Sequence, residues 1–236
     1  MDPLVDIAKK HRLAFIEDAA ELIGGTYKGK PCGSFGHMSI FSFYPNKHIT
    51  TGEGGMVVTN DAELADRCKS LRNLCFQPNM RFVHEELGWN YRLTNIQAAL
   101  GLAQLESLDE FVDRKRRIGN RYHDAFKNIP DVQLPLRAAS YAENIYWVFG
   151  LVIKRCANSS HFYRELLSKS GVGTRPFFYP IHQQPVFKKM GLFADTHNPV
   201  SEMLYENGFY IPSGLGLTDS QQSEVIDTVQ NILNYN

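Results

Sequence analysis

Lys47 lies between an aromatic, strand-like run and a glycine-rich turn, within residues 39–56. Ile40, Phe41 and Phe43 form a short apolar run that breaks at Tyr44-Pro45. After Thr50-Thr51-Gly52-Glu53-Gly54-Gly55 a second run begins at Met56-Val57-Val58. Proline ends a strand, and glycines let the backbone turn with positive φ or pass close to a ligand. A lysine presented there is where an amine that forms a Schiff base with an aldehyde would sit. Upstream, the run Ala14-Phe15-Ile16 ends in the carboxylates Glu17, Asp18 and Glu21. Together these segments suggest pyridoxal phosphate (PLP) chemistry. Two plainer readings stand beside it: a lysine after a strand is often only a solvated surface residue, and carboxylates after an apolar run often cap the next helix.

These residues need elements to hold them. Residues 13–16 read as a buried strand, and residues 39–43 and 55–59 as two more. Asp2-Pro3 opens a short helix, with Asp2 as the cap and Leu4, Ile7 and Ala8 on one face. Asn60, with Glu63 at capping-box spacing, starts a helix that turns Leu64, Cys68 and Leu71 inward. Strand, helix and strand in alternation indicate an α/β sheet domain, whose ligands gather at the carboxyl ends of strands. Asp18 and Lys47 both fall just past such ends. Residues 74–93 read as a polar loop. Thr94 with Gln97 then starts a long helix with Ile96, Leu100, Ala103, Leu105 and Leu108 as apolar positions, running to about Phe126. That length predicts a join between domains or a kink near Gly119.

Beyond Pro130 the texture changes. Residues 145–153 are strongly β-like, residues 162–167 helical, and Gly171-Val172-Gly173-Thr174 turns into another strand. Thr218 with Gln221 begins a last helix carrying Val225, Ile226, Val229, Ile232 and Leu233. The division read from this is a domain over residues 1–124, including the long connecting helix, and a smaller α+β domain over residues 125–236.

Composition excludes several classes. With 25 Lys plus Arg against 25 Asp plus Glu, no global field points to nucleic acid or membrane. Arg114-Lys115-Arg116-Arg117 is short and reads as a solvated helix face. No run of about 18 apolar residues exists to span a bilayer, and residues 1–10 do not resemble a signal peptide. Cys32, Cys68, Cys75 and Cys156 show neither CxxC spacing nor clustered histidines. Reduced thiols in a cytoplasmic protein, with no metal, fit them better than disulfides or zinc.

Six collinear segments carry more. They are Ile16-Glu17-Asp18-Ala19-Ala20-Glu21, Gly33-Ser34-Phe35-Gly36, Phe41-Ser42-Phe43-Tyr44-Pro45-Asn46-Lys47 and Thr50-Thr51-Gly52-Glu53-Gly54-Gly55-Met56, then Trp89-Asn90-Tyr91-Arg92-Leu93-Thr94-Asn95 and Thr174-Arg175-Pro176-Phe177-Phe178-Tyr179-Pro180. Through them nearly the whole chain resembles the DegT/StrS-type nucleotide-sugar aminotransferases, and their perosamine-synthase-like members most closely. The resemblance implies a fold-type I PLP-dependent aminotransferase, with part of a large α/β domain followed by a smaller α+β domain. It implies pyridoxal 5'-phosphate as cofactor, glutamate as amino donor and a nucleotide-linked 4-keto-6-deoxy sugar as acceptor. GDP-4-keto-6-deoxymannose is the favoured acceptor, for surface polysaccharide of the lipopolysaccharide O-antigen kind.

Position by position, the resemblance makes Lys47 the Schiff-base lysine and proton shuttle. Asp18 is matched to the partner of the pyridine nitrogen, Glu21 to the contact of the ring 3-hydroxyl, and Ser42 to a phosphate-binding hydroxyl. Asn90 matches a residue given across a homodimer interface to the neighbouring subunit's phosphate, and Arg92 on the same loop reinforces that anion site. Arg175, Tyr179 and His182 are implied to face the sugar or its diphosphate. Relatives that act as sugar dehydratases carry histidine in place of the lysine, so Lys47 points to transamination. His48 differs from many relatives and bears on specificity. In the family a segment with further phosphate ligands and a ring-stacking aromatic precedes the position of Met1. That leaves an inactive fragment or a PLP-binding accessory protein as the other reading.

Overall fold

The computed structural model describes residues 1–155 and 158–235. Cys32, Cys68 and Cys75 are free thiols; Cys156, grouped with them above, lies outside the described residues. The chain divides into two units, the first being Met1–Asp113 with Ala138–Trp147 and the second Arg114–Arg137 with Val148–Asn236.

The first unit opens with α1 (Asp2–Lys10). Asp2 is the first helical residue and Met1 the cap, with Pro3 in the first turn, where its missing N–H leaves no bond unmade. Ala8 is buried there, while Leu4 and Ile7 are exposed. Strand β1 (Ile16–Asp18) starts where the predicted buried strand was to end, and Leu13 and Ile16 are exposed. The inward residue is Glu17. Its carboxylate accepts the Gly33 N–H, the Phe35 N–H at 3.1 Å and the Ser39 hydroxyl at 3.5 Å. A hydropathy pattern cannot anticipate a strand whose buried residue is a fully bonded carboxylate.

A hairpin of β2 (Thr26–Tyr27) and β3 (Lys30–Pro31) follows. Then β4 (Met38–Ser42) pairs parallel with β1 and antiparallel with β5 (Gly55–Val58), giving the order β1-β4-β5. Because β1 and β4 are parallel, their carboxyl ends share one edge. Asp18 is the last residue of β1 rather than a residue beyond it.

Helix α2 (Ala62–Arg72) is capped by Asp61, not Asn60, since the Asp61 carboxylate reaches the N–H groups of Glu63 and Leu64. Helix α3 (Asn95–Leu105) begins with the Thr94–Gln97 capping box that the spacing predicts. The single long helix divides earlier than Gly119. It breaks at Glu106-Ser107, and α4 runs over Leu108–Phe126 with Gly119 buried inside it. The Ser107 carbonyl accepts the Phe111 N–H that opens α4, a helix start that serine favours over a mid-helix place. No residue of α3 is buried, and Ile96, Leu100 and Leu105 are exposed.

The unit boundary falls within α4, between Asp113 and Arg114. Strand β6 (Val132–Gln133) belongs to the second unit, after which the hairpin of β7 (Ala138–Ala139) and β8 (Ala142–Glu143) returns to the first. The second unit continues with β9 (Phe149–Ile153), α5 (Ser159–Lys169), β10 (Arg175–Pro176), α6 (Pro185–Lys189), α7 (Pro199–Asn207), β11 (Gly208–Ile211) and α8 (Asp219–Tyr235). Its sheet is antiparallel in the order β10-β11-β9-β6. The β-like run from Ile145 becomes a strand only at Phe149, because Ile145 and Tyr146 are buried in the turn before it.

Tyr122, Phe126, Phe149, Leu151, Phe209 and Ile211 form the centre of this unit, joined by Val225, Val229 and Leu233 of α8. Reciprocal Thr218–Gln221 bonds start that helix as predicted.

The basic run at the head of this unit is not simply a solvated face. Lys115 is buried, and its ammonium donates to the Ser213 carbonyl at 2.5 Å. Arg114 reaches the Leu217 carbonyl at 3.2 Å, and the Tyr122 hydroxyl donates to Pro212 at 2.7 Å. Helix α4 thus fastens residues 212–217 through their carbonyls. Burial lowers the Lys115 pKa from 10.5 to about 8. Between those values the unfolded chain binds the extra proton, so stability rises with pH across that window. Urea unfolding should show wild type gaining about 3 kcal/mol on Lys115→Met between pH 8 and pH 10.5. A pH-independent difference would contradict the burial of a charged amine.

Candidate active site

The shared carboxyl edge of β1 and β4 sets the first residues. Asp18 Oδ1 accepts the Ala20 N–H at 3.1 Å. A turn follows rather than an α-helix, so Asp18 holds a turn and caps no helix. Ser42 ends β4, where its Oγ accepts the Tyr44 N–H at 3.3 Å. The backbone then folds over, with the Lys47 N–H donating to the Tyr44 carbonyl at 3.0 Å.

The Lys47 side chain is withdrawn from water. It is 9% exposed, against 45% for its partner Glu21, whose Oε1 stands 3.4 Å from Nζ. On another side Nζ lies 4.1 Å from the centre of the Trp147 ring, within the range of a cation–π contact. The amine is therefore no solvated surface lysine.

The loop carrying Lys47 is held from several directions. The Thr50 hydroxyl and the Thr51 N–H both donate to the Phe43 carbonyl, at 2.9 and 3.0 Å. Gln104 acts as a substitute strand: its Oε1 accepts the Thr50 N–H at 3.1 Å and its Nε2 donates to the Thr50 carbonyl at 2.7 Å. Gln97 donates to the Glu53 carbonyl at 2.9 Å. Gln97, Gly101 and Gln104 share one face of α3, and a Cβ at Gly101 would stand 3.0 Å from Thr51 Cγ2. At Gly54, φ is +147° and a Cβ would meet Thr51 Oγ1 at 2.6 Å, so a side chain is excluded there. Next to the lysine, buried His48 meets the Ile145 carbonyl at 3.0 Å through Nε2, which must carry the proton because a carbonyl only accepts.

The structure thus brings Asp18, Glu21, Ser42 and Lys47 to one edge of the first unit's sheet. Asn90 and Arg92 lie on a different, exposed loop of that unit, bonded to each other at 2.8 Å and tied to α2's end by the Asn73–Asn90 bridge. Arg175, Tyr179 and His182 belong to the second unit. Arg175 is exposed in β10 opposite Tyr210, and the Tyr179 ring stands edge-on to Tyr205 at 4.9 Å. His182 is buried, with Nε2 2.7 Å from Glu202 Oε1. The same oxygen meets His197 Nδ1 and the Asn198 N–H, each at 3.0 Å. The His182 bond first, and then the Asn198 N–H, hold the Glu202 carboxyl below its usual range.

Sequence reasoning missed Trp147, Gln97 as a loop clamp, and Gln104. Trp147 reaches Lys47 only through the fold, so no local spacing could announce it. Gln97 was legible as a cap residue, but its second bond was not.

Comparison with known proteins decides the family. A profile of the DegT/DnrJ/EryC1/StrS aminotransferase family matches residues 1–230. The chain belongs to that family. Within it, the chain is 39% identical over 229 residues to the GDP-perosamine synthase of Escherichia coli O157:H7, covering 97% of this chain and 61% of the relative. It is 36% identical to the GDP-perosamine synthase of Caulobacter vibrioides, covering 99% of this chain and 62% of that one. The chain therefore spans about three fifths of the length of these relatives. Among solved structures, Helicobacter pylori PseC, an aminotransferase involved in the biosynthesis of pseudoaminic acid, superposes with a TM-score of 0.92 at 26% identity, over 100% of this chain and 63% of that one. The architecture of this DegT/StrS family member is accordingly that of a partial fold-type I aminotransferase with mixed α/β content. Among the described residues no His, Cys, Asp and Glu group could hold a metal ion, and no helix is long and apolar enough to cross a membrane.

If the α3 glutamines hold the lysine loop, Gln104→Leu should speed amide exchange at Thr50 at least about tenfold, since the net contribution of its two bonds is on the order of 1 kcal/mol each. Exchange indistinguishable from wild type would show that the loop holds itself.

Proposed function

We propose that this family member carries the cofactor-binding edge of a PLP-dependent transaminase that moves an amino group from glutamate to a nucleotide-linked 4-keto-6-deoxy sugar. The observation that carries this reading is the withdrawn Lys47 amine between Glu21 and Trp147, at the edge that also ends in Asp18 and Ser42. That donor set fits PLP: an amine for its aldehyde, a carboxylate for its pyridine nitrogen and a hydroxyl for its phosphate. When bound, PLP supplies an electron sink for a carbanion.

In this reading Lys47 holds the cofactor and moves a proton at its own Nζ. Asp18, oriented by the Ala20 N–H, keeps the pyridine nitrogen protonated. Glu21 serves the ring 3-hydroxyl and Ser42 the phosphate. Asn90, reinforced by Arg92, serves the phosphate of a second copy in a homodimer. The exposed Ile96, Leu100 and Leu105 of α3 support such docking. Arg175, Tyr179 and His182 recognise the sugar or its diphosphate. Two relatives, 39% and 36% identical, are GDP-perosamine synthases, which supports GDP-4-keto-6-deoxymannose as the acceptor. The setting proposed is the cytoplasm, in lipopolysaccharide O-antigen synthesis.

Incubation with PLP, reduction with borohydride and peptide mapping by mass spectrometry should place the label on Lys47. Label on another lysine with Lys47 clean overturns the assignment, and no label anywhere favours the inactive or accessory protein. Asp18→Asn should keep the Lys47 label while lowering turnover about 100-fold or more. Turnover within a few-fold of wild type would leave Asp18 as a turn residue only.

A further inference from the structure

We propose that residues 144–147 form a strap that positions the Lys47 amine, with Trp147 as its positioning residue. The proposal rests on the reading of Lys47 given above. Three consecutive residues of the lysine loop are met by residues of this one turn. The Trp147 indole N–H donates to the Asn46 carbonyl at 3.0 Å, the Trp147 ring faces Lys47 Nζ at 4.1 Å, and the Ile145 carbonyl meets His48 Nε2 at 3.0 Å. The preceding hairpin is fixed as well, because the Tyr141 carbonyl accepts the Lys28 N–H at 2.7 Å and the Tyr141 ring lies 5.4 Å from that of Tyr27.

The turn itself is strained. Tyr146 has φ +48°, and its N–H is taken by Asn144 Oδ1 at 2.7 Å. A left-handed conformation is unfavourable for a residue with a Cβ, and persists only where the surroundings over-determine it. Ile145 and Tyr146, 3% and 2% exposed, supply that constraint. The strain is stored beside the residue that covers the lysine.

An aromatic face suits this task for a chemical reason. It attracts an ammonium and excludes water, yet offers no lone pair that must be given up when the nitrogen becomes a nucleophile. A second carboxylate would hold the amine more tightly and in the wrong state for bond formation. The ring therefore restricts where Nζ points without occupying it, which is a contribution to orientation.

The test uses formaldehyde and cyanoborohydride as a small lysine probe, with site-by-site rates read by mass spectrometry on the protein without added PLP. Wild type should methylate Lys47 at least about tenfold more slowly than exposed Lys69. Trp147→Leu should raise the Lys47 rate at least tenfold while the thiol of Cys75, buried in the same unit, stays slow toward a maleimide, which certifies that unit's fold. Trp147→Phe, which keeps a ring face, should stay within threefold of wild type. His48→Ala, which releases the other end of the strap, should also raise the Lys47 rate, and it replaces Trp147→Leu if that variant exposes Cys75. With PLP and substrates, Trp147→Leu should lower kcat about 10- to 100-fold with both KM values within threefold.

An unchanged Lys47 rate in both Trp147→Leu and His48→Ala overturns the strap. A raised rate with kcat within twofold of wild type overturns positioning. Failure to trap PLP on wild-type Lys47 counts against the proposed function, whereas the methylation rates read the strap independently of it.

Discussion

Between β4 and β5 the chain leaves the sheet, and from that point its backbone N–H and C=O groups have no neighbouring strand to pair with. Such groups must be satisfied wherever water is kept away, and a lysine side chain only 9% exposed requires that water be kept away. Much of the first unit can be understood as the answer to this constraint. The loop closes on itself where Phe43 donates to Gly54 at 2.9 Å and receives Thr50 and Thr51 in return. Side chains from distant segments then complete it: Gln104 on both groups of Thr50, Gln97 on Glu53 and Trp147 on Asn46. Each bond contributes on the order of 1 kcal/mol. Their joint effect is to make one loop conformation the only satisfied one.

A second buried polar group organises the other side of the edge. Glu17 alternates with Asp18 along β1, so fixing one orients the other. Its carboxylate holds the N–H groups of Gly33 and Phe35, and Gly33 lies so close to the Phe41 ring that a Cβ would stand 2.2 Å from it. The same glycine carries φ +89°, a conformation that favours glycine over residues with a Cβ. The Gly33 segment is thereby pinned between a carboxylate and a strand of the sheet that ends at Ser42. Asp18 can then stay exposed at the edge, with one oxygen directed by Ala20, while its neighbour makes the structural bonds.

What the sequence made legible follows from how local each signal is. The capping pairs Thr94–Gln97 and Thr218–Gln221 form because both partners lie within one turn. The lysine loop was legible because Pro45 and the glycines act on their own backbone. The strand at residues 13–16 was misplaced because a bonded carboxylate, Glu17, took the inward position that apolar Ile16 was assigned. The long helix was read without its break because apolar residues continue across Ser107, and the helix-favouring pattern conceals a new start. Ile145 and Tyr146 are β-like by composition, yet their burial serves a turn. Lys115 and Trp147 were invisible as site or core residues for one reason: their partners are about 100 residues away.

The central proposal is that the amine of this edge that joins PLP is Lys47, oriented rather than exposed by its enclosure between Glu21 and Trp147. The most direct measurement is a spectroscopic titration with PLP, recording the visible band that forms when its aldehyde joins an amine, for wild type, Lys47→Ala and Lys28→Ala. The account predicts a saturable band in wild type and Lys28→Ala that is lost in Lys47→Ala. A saturable band of wild-type strength in Lys47→Ala would contradict it.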